Sequence, residues 1–308
     1  MRILMMLAPY VEKEPALIEL KQALAEVADA ELAVFPREEL TGEFDLVLPL
    51  DEMLINFHNM RSRIAGRFQS IGLSFKFGPL YRYFQYTNGL LDSGLAALIC
   101  NCPSFVRRIG GALPAVFSYR PLATAKPFLA SSQRHFVSVI DEVADQDFAL
   151  AARVAGEVEK HKMQDDYRIY CCSNDLEKLP SAVRQCAVSC DLAKEPDLYA
   201  EGGAYIPTPR VTDYRGGVVP AEYFKALKWN RRPIFPGHQL LHETFPRWPL
   251  CKSVKEVDEA IDAAGKTEFT DFLTGLDADT VLPTEVPTSK EFAVKIWTMW
   301  QRLKERNG

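Results

Sequence analysis

Residues Tyr205–Phe235 hold the chain's most suggestive concentration of ligand-binding side chains. Arg210 and Arg215 lie in a loop after an apolar segment, Gly216-Gly217 makes a turn, and Glu222 stands near the start of a helical stretch. Glycines let a backbone approach a phosphate closely, and a helix N-terminus with an arginine neutralises it. A glutamate one step further can accept hydrogen bonds from two vicinal ribose hydroxyls. The same glutamate would also be favoured at a helix start by the dipole alone. A second set follows the apolar run Asp45–Leu50, where Asp51 and Glu52 come directly after it and His58 about two helical turns on. A carboxylate or imidazole there could take a proton from an attacking hydroxyl. Asp51 could equally cap the next helix.

Charge is distributed very unevenly along the chain. Residues 1–52 carry 4 basic and 12 acidic side chains, and residues 53–140 carry 10 basic and one acid, Asp92. Residues 53–91 combine five basic residues, Arg61, Arg63, Arg67, Lys76 and Arg82, with eight aromatics and no acid. Interleaved cations and aromatics suit a polyanion with stackable bases, or an anionic bilayer. Buried aromatics with solvated arginines would give the same composition.

Other chemistries find no footing. The first apolar run leads into Ala8-Pro9-Tyr10-Val11-Glu12, without the glycines of a dinucleotide loop. Neither a phosphate loop of P-loop type nor a Gly-x-Ser-x-Gly elbow is present. Seven cysteines, an odd number, point to reduced thiols. Cys171, Cys172, Cys186 and Cys190 cluster but lack Cys-x2-Cys spacing, so no metal is expected there. His238 and His242 are four apart with no clear third ligand. The run Met1–Pro9 is too short for a signal peptide or span, and no later segment reaches about 18 uninterrupted apolar residues. A cytoplasmic protein with at most peripheral membrane contact is expected.

The elements that must position these residues follow from periodicity. Arg2–Ala8, Glu31–Phe35 and Asp45–Leu50 read as strands, with a helix from Pro15 whose Leu17, Leu20, Leu24 and Val27 share a face. A helix is expected through Met53–Phe68, a strand around Ile71–Phe77, a helix over Leu90–Ile109 and a strand over Pro114–Tyr119. Residues 120–134, without periodicity, read as a linker. The alternation then restarts with strands at His135–Ile140, Tyr167–Cys172, Ala204–Pro207 and Pro233–Phe235, and a helix over Ala221–Lys228. Ser289–Arg306 closes the chain as a helix with Phe292, Ile296, Met299, Trp300 and Leu303 in a stripe. Two alternating series predict an α/β protein of two Rossmann-like domains with a cleft between them. The expected division is 1–125 for an acceptor domain, and 126–308 for a donor-nucleotide domain that includes the final helix.

The block Gly216-Gly217-Val218-Val219-Pro220-Ala221-Glu222-Tyr223-Phe224-Lys225-Ala226-Leu227, ending in Arg232-Pro233-Ile234-Phe235, resembles the donor-sugar motif of GT-B glycosyltransferases. The resemblance covers about 30 residues closely and the two-domain layout more weakly. It implies a nucleotide-diphosphate sugar as co-substrate in the C-terminal domain, an acceptor in the N-terminal one, and no cofactor or metal. By position Glu222 takes the ribose-binding role. Retaining members often carry a second glutamate eight residues earlier, where this chain has Tyr214 beside Asp213. The expected reaction moves a sugar to a hydroxyl of an anionic acceptor. Hydroxymethylated DNA, as for phage-type DNA glycosyltransferases, is favoured because the basic stretch lacks an obvious amphipathic membrane helix. A lipid-linked glycan at a membrane face and a non-catalytic nucleotide- or nucleic-acid-binding protein remain the alternatives.

Overall fold

β1, Arg2–Met6, is apolar without alternation because both of its faces are covered. Ile3 and Met5 enter one core cluster, while Leu4 and Met6 enter another on the opposite side. The computed structural model describes residues 1–9, 11–37, 44–51, 54–55, 69–75, 95–124, 134–141, 143, 146–162, 164–165, 167–172, 176–208, 221–228, 232–233 and 286–307. They divide into two units, one of Met1–Thr124 with Thr284–Gly308 and one of Ala125–Pro283.

In the first unit β1 is flanked by parallel strands β2 (Glu31–Phe35) and β3 (Leu46–Pro49), giving the order β2-β1-β3. A second parallel set, β4 (Ile71–Ser74), β5 (Ala97–Cys100) and β6 (Ala115–Phe117), continues it. Parallel bridges Val47↔Ser70 and Leu50↔Leu73 join the two. Strand order therefore reverses once, between β1 and β3. Helix α1, Pro15–Ala28, begins with proline at its first turn and lays Leu17, Leu20 and Leu24 on the sheet.

Within the segment read as a helix over Leu90–Ile109, the described residues form a strand, β5, followed by α2, Pro103–Ile109. Ala97–Cys100 is apolar on both faces and so carries no period that separates strand from helix. Pro103 occupies the first turn of α2, where its missing N–H costs nothing.

The last helix also departs from expectation. Its stripe is buried as predicted, but α7 (Ser289–Asn307) packs on the first unit, not the second. Phe292, Ile296, Met299, Trp300 and Leu303 share one core with Leu17, Leu20 and Leu24 of α1. Ser289 Oγ donates to the Ala16 carbonyl at 2.9 Å, and Leu122 N–H donates to Pro287 O at 3.1 Å. An amphipathic stripe specifies that a face is covered, not which domain covers it.

Residues 120–124, expected in a linker, are docked as well. Arg120 forms a buried ion pair with Glu14, the two being 4 % and 1 % exposed. Thr124 donates from its N–H and hydroxyl to Glu19 at 2.7 and 2.9 Å. One cation of the basic segment is thus consumed by the acidic N-terminal segment.

The second unit is a five-stranded parallel sheet of β7 (Arg134–Ile140), β8 (Tyr167–Cys171), β9 (Ala187–Ser189), β10 (Gly202–Tyr205) and β11 (Arg232–Pro233), ordered β11-β10-β7-β8-β9. This is the Rossmann arrangement, with its reversal between β7 and β10. Helices α3 (Ala149–Lys160), α4 (Ser181–Gln185), α5 (Glu195–Ala200) and α6 (Ala221–Lys228) accompany it. Leu150, Ala151, Val154, Ala155 and Val158 of α3 pack on Phe136 and Ile140, the other face of β7 carrying Val137 and Val139.

Candidate functional site

Ligands of open α/β sheets sit beyond the C-terminal strand ends, where strand order reverses. In the first unit that place is the end of β1 and β3. Asp51 is the second residue past β3, and its backbone is left-handed, φ 63°. A short polar side chain tolerates that conformation better than most. The Asp51 carboxylate accepts the Phe75 N–H at 3.0 Å, tying the end of β3 to the end of β4.

The tie continues along the sheet edge. Asn101, just past β5, donates its side-chain amide to Phe75 O at 3.0 Å. Asn101 Oδ1 and Ser74 Oγ are buried and find no hydrogen-bond partner among the described residues. Lys295 of α7 donates to Ser118 Oγ, just past β6, at 2.8 Å. Burial lowers the Lys295 pKa, partly opposed by Glu291. Asp51, Asn101 and Lys295 thus serve three neighbouring strand ends of one unit. Asn101 was not foreseen, because reading 90–109 as one helix hid the end of β5, and Ser74 was not because it lies inside the strand expected over Ile71–Phe77.

In the second unit the reversal lies at the ends of β7 and β10. Ser138 interrupts the apolar run of β7, and its hydroxyl donates to Ile206 O at 2.7 Å and shares a 2.8 Å bond with Tyr167 Oη. That clamp fixes the segment leaving β10. Thr208 follows, 1 % exposed, its Oγ1 without a hydrogen-bond partner among the described residues. A hydroxyl so placed costs roughly 1–3 kcal/mol unless a ligand completes it. A polar residue inside an apolar strand was the available signal for Ser138.

Glu222 lies in the first turn of α6, as expected. Tyr205, at the end of β10, is wholly buried. Burial raises its pKa well above the usual phenol value, and the Glu222 charge adds to the rise. Tyr199 is raised likewise, by burial first and then by Tyr205, Glu195 and Glu222. Ala226 of the same helix packs in one core with Tyr205 and Tyr199. One turn after Glu222, Lys225 forms a buried ion pair with Glu195 at the start of α5, which holds α6 in place. His58, Arg61, Arg63, Arg67, Lys76, Arg82, Arg210, Arg215, Gly216 and Gly217 lie outside the described residues. Among the described residues no group of three His, Cys, Asp or Glu side chains could hold a metal ion. No described helix is long and apolar enough to cross a membrane.

No family model matches the chain, and a search of curated proteins finds no match. Solved structures do match, with 8–11% identity in three of them. The S. aureus MnaA–UDP co-structure aligns with a TM-score of 0.59 at 8% identity, over 98% of this chain and 97% of that one. A proposed UDP-N-acetylglucosamine 2-epimerase from Listeria monocytogenes gives 0.56 at 10%, over 96% and 94%. Thermobaculum terrenum O-GlcNAc transferase gives 0.50 at 11%, over 98% of this chain and 67% of its own. The fold is GT-B. Such distant likeness establishes the GT-B architecture, two Rossmann-like domains, and leaves the reaction to be argued from residues.

Proposed function

We propose that this GT-B protein is a nucleotide-sugar-dependent glycosyltransferase. The observation that carries the reading is Glu222 in the first turn of α6, a helix whose Ala226 shares a core with Tyr205 at the end of β10, where strand order reverses. There the carboxylate can accept from both ribose hydroxyls of a nucleoside diphosphate. Arg210 and Arg215 neutralise the diphosphate, Gly216 and Gly217 allow its close approach, and the buried Thr208 hydroxyl gains the partner it lacks. Asp51 serves as the base. It takes the proton of an acceptor hydroxyl, whose oxygen bonds to the anomeric carbon as the bond to the diphosphate breaks. The nucleoside diphosphate leaves with the electron pair. The acceptor is anionic, which the run of cations and aromatics in residues 53–91 suits, and DNA is favoured over a membrane surface because that run lacks an obvious amphipathic membrane helix.

A panel of nucleoside diphosphates tests the donor assignment. A bound donor raises the melting temperature, by more the further its concentration exceeds its Kd, with a logarithmic dependence. Glu222→Ala should weaken nucleotide affinity at least tenfold, since charge-assisted hydrogen bonds are worth about 1.5–3 kcal/mol each. Its fold should survive. Unchanged affinity in a folded variant removes the donor assignment. The likeness to a proposed 2-epimerase favours a second reading, rearrangement of the nucleotide sugar itself. An epimerised sugar nucleotide formed without any acceptor would establish it, whereas transfer needs the acceptor.

A further inference from the structure

Two thiols outside the proposed donor site face each other at the C-terminal edge of the second unit's sheet. Cys172 Sγ and Cys190 Sγ are 3.2 Å apart. Each is the first residue past its strand, and the strands are register partners, Cys171 opposite Ser189. Cys172 and Cys190 extend that register by one step. Neighbouring strands lie about 4.8 Å apart, inside the Cα separation that a disulfide requires, about 4.4–6.8 Å. The backbone is already placed for a bond, and only the sulfurs need to close to about 2.05 Å.

The other described cysteines are not placed to compete. Cys171 points to the opposite face and is fully buried in the α3 core, with Cys186 packed against that same core. In the first unit the Cys100 sulfur contacts the Cys102 backbone, accepting its N–H at 3.3 Å, not the Cys102 thiol. Cys172 and Cys190 are only partly buried, packed with Tyr170 and Val188, so a small reagent can reach them.

We propose that Cys172 and Cys190 are a dithiol modification site that closes reversibly to an intramolecular disulfide with a low-molecular-weight disulfide as oxidant. Cys190 attacks one sulfur of the small disulfide and releases one small thiol, leaving a mixed disulfide. Cys172 then attacks the Cys190 sulfur and releases the second small thiol, which carries away the Cys172 proton. The two protein thiols are oxidised and the small disulfide is reduced to two thiols. The hydrogen bond from Cys172 lowers the Cys190 pKa and makes it the first nucleophile, while the same bond and burial raise that of Cys172.

The test uses the full chain, reduced and then exposed to oxidised glutathione. Intact mass should fall by two hydrogens, and peptide mapping should link Cys172 to Cys190. Two of the seven thiols should disappear and return with dithiothreitol. Cys172→Ser should stop at the mixed disulfide and gain one glutathione at Cys190, whereas Cys171→Ser should still close the bond. Should wild type retain all seven thiols, accumulate a stable glutathione adduct, or link any other pair first, the proposal is overturned. None of these readouts depends on nucleotide binding, so the donor reading stands or falls apart from it.

Discussion

The edge of the first unit's sheet is knit by polar side chains reaching backbone: Asp51 takes Phe75 N–H, and Asn101 holds Phe75 O. The same edge of the second carries Tyr205 and Thr208, braced from within the sheet by Ser138 and Tyr167, and behind it Lys225 pairs with Glu195. Both edges lie where strand order reverses, and both hold buried oxygens without a partner among the described residues, Ser74 and Asn101 in one and Thr208 in the other. The difference lies in what each presents. The first offers a carboxylate held rigidly by main chain, suited to moving a proton. Among its described residues the second offers neutral hydroxyls and phenols with Glu222 at a helix start, suited to holding hydroxyls and phosphate. Parallel architectures of one chain can therefore be given opposite chemical tasks by the residues that end their strands.

The largest effect expected is on Asp51. Asp51→Asn keeps an oxygen for Phe75 N–H and tolerates the left-handed backbone, so folding should be nearly unchanged. Turnover should fall by about 10²–10⁴-fold if the carboxylate is the base. Asp51→Ala loses the tie too and should also lower stability, by about 1–3 kcal/mol for a buried donor left unmade. If both variants turn over normally, the first edge is only structural.

Next comes the ion pair that docks the end of the first unit's sheet. Arg120→Met leaves Glu14 buried beside an uncharged side chain and should cost about 3–5 kcal/mol by chemical denaturation. The double variant with Glu14→Leu should recover most of that. Lys225→Met should cost less, because its pair with Glu195 retains more exposure. Equal costs would mean the two pairs are not different in kind.

The sequence made much of this legible and hid the rest for definable reasons. α1 and α6 were readable from their helical apolar periods, with Pro15 marking a start, and β1 and β2 because each is a short apolar run of strand length bounded by turn residues. β5 was not, since Ala97–Cys100 has no period. Glu222 stood out because a helix-start acid follows a Gly-Gly turn. The pairing of Arg120 with Glu14 spans 106 positions, which no local pattern encodes. The charge asymmetry that suggested an anionic partner is in that part an internal match. The placement of α7 on the first unit was hidden likewise, since its stripe fits any apolar surface.

A smaller effect separates ligand contacts from scaffold. Thr208→Val keeps shape and removes an unpartnered hydroxyl, so stability should hold or rise slightly. Nucleotide affinity should nonetheless fall by about two- to tenfold, for a hydrogen bond worth about 0.5–1.5 kcal/mol. Ser74→Ala is the counterpart in the first unit and should leave nucleotide affinity untouched. A stability loss in Thr208→Val, with affinity intact, would make Thr208 part of the scaffold and erase that side of the contrast.

The smallest effect concerns how α7 is started, and it belongs to the first unit alone. Thr288 and Glu291 form a reciprocal capping box. Glu291 accepts from the Thr288 N–H at 2.7 Å and from its hydroxyl at 2.9 Å, while Glu291 N–H donates to Thr288 Oγ1 at 3.3 Å. The Thr288 backbone bond, then its hydroxyl, holds the Glu291 carboxyl below the ordinary glutamate value. Folding therefore favours the ionised form. The contribution is complete above the unfolded value, about 4.3, and is lost as pH falls through the lower folded value. Glu291→Gln keeps an oxygen for both bonds but cannot titrate, so the wild type should lose its advantage over the variant in that acid window. At pH 7 the wild type should melt slightly higher, because the carboxylate also favours the helix N-terminus. Melting curves of both proteins from pH 3 to about 7 measure the difference directly. A difference that does not change across that range would show that the Glu291 charge contributes nothing to seating α7. The box would then act through shape and neutral hydrogen bonds, as Ser289 does at the Ala16 carbonyl.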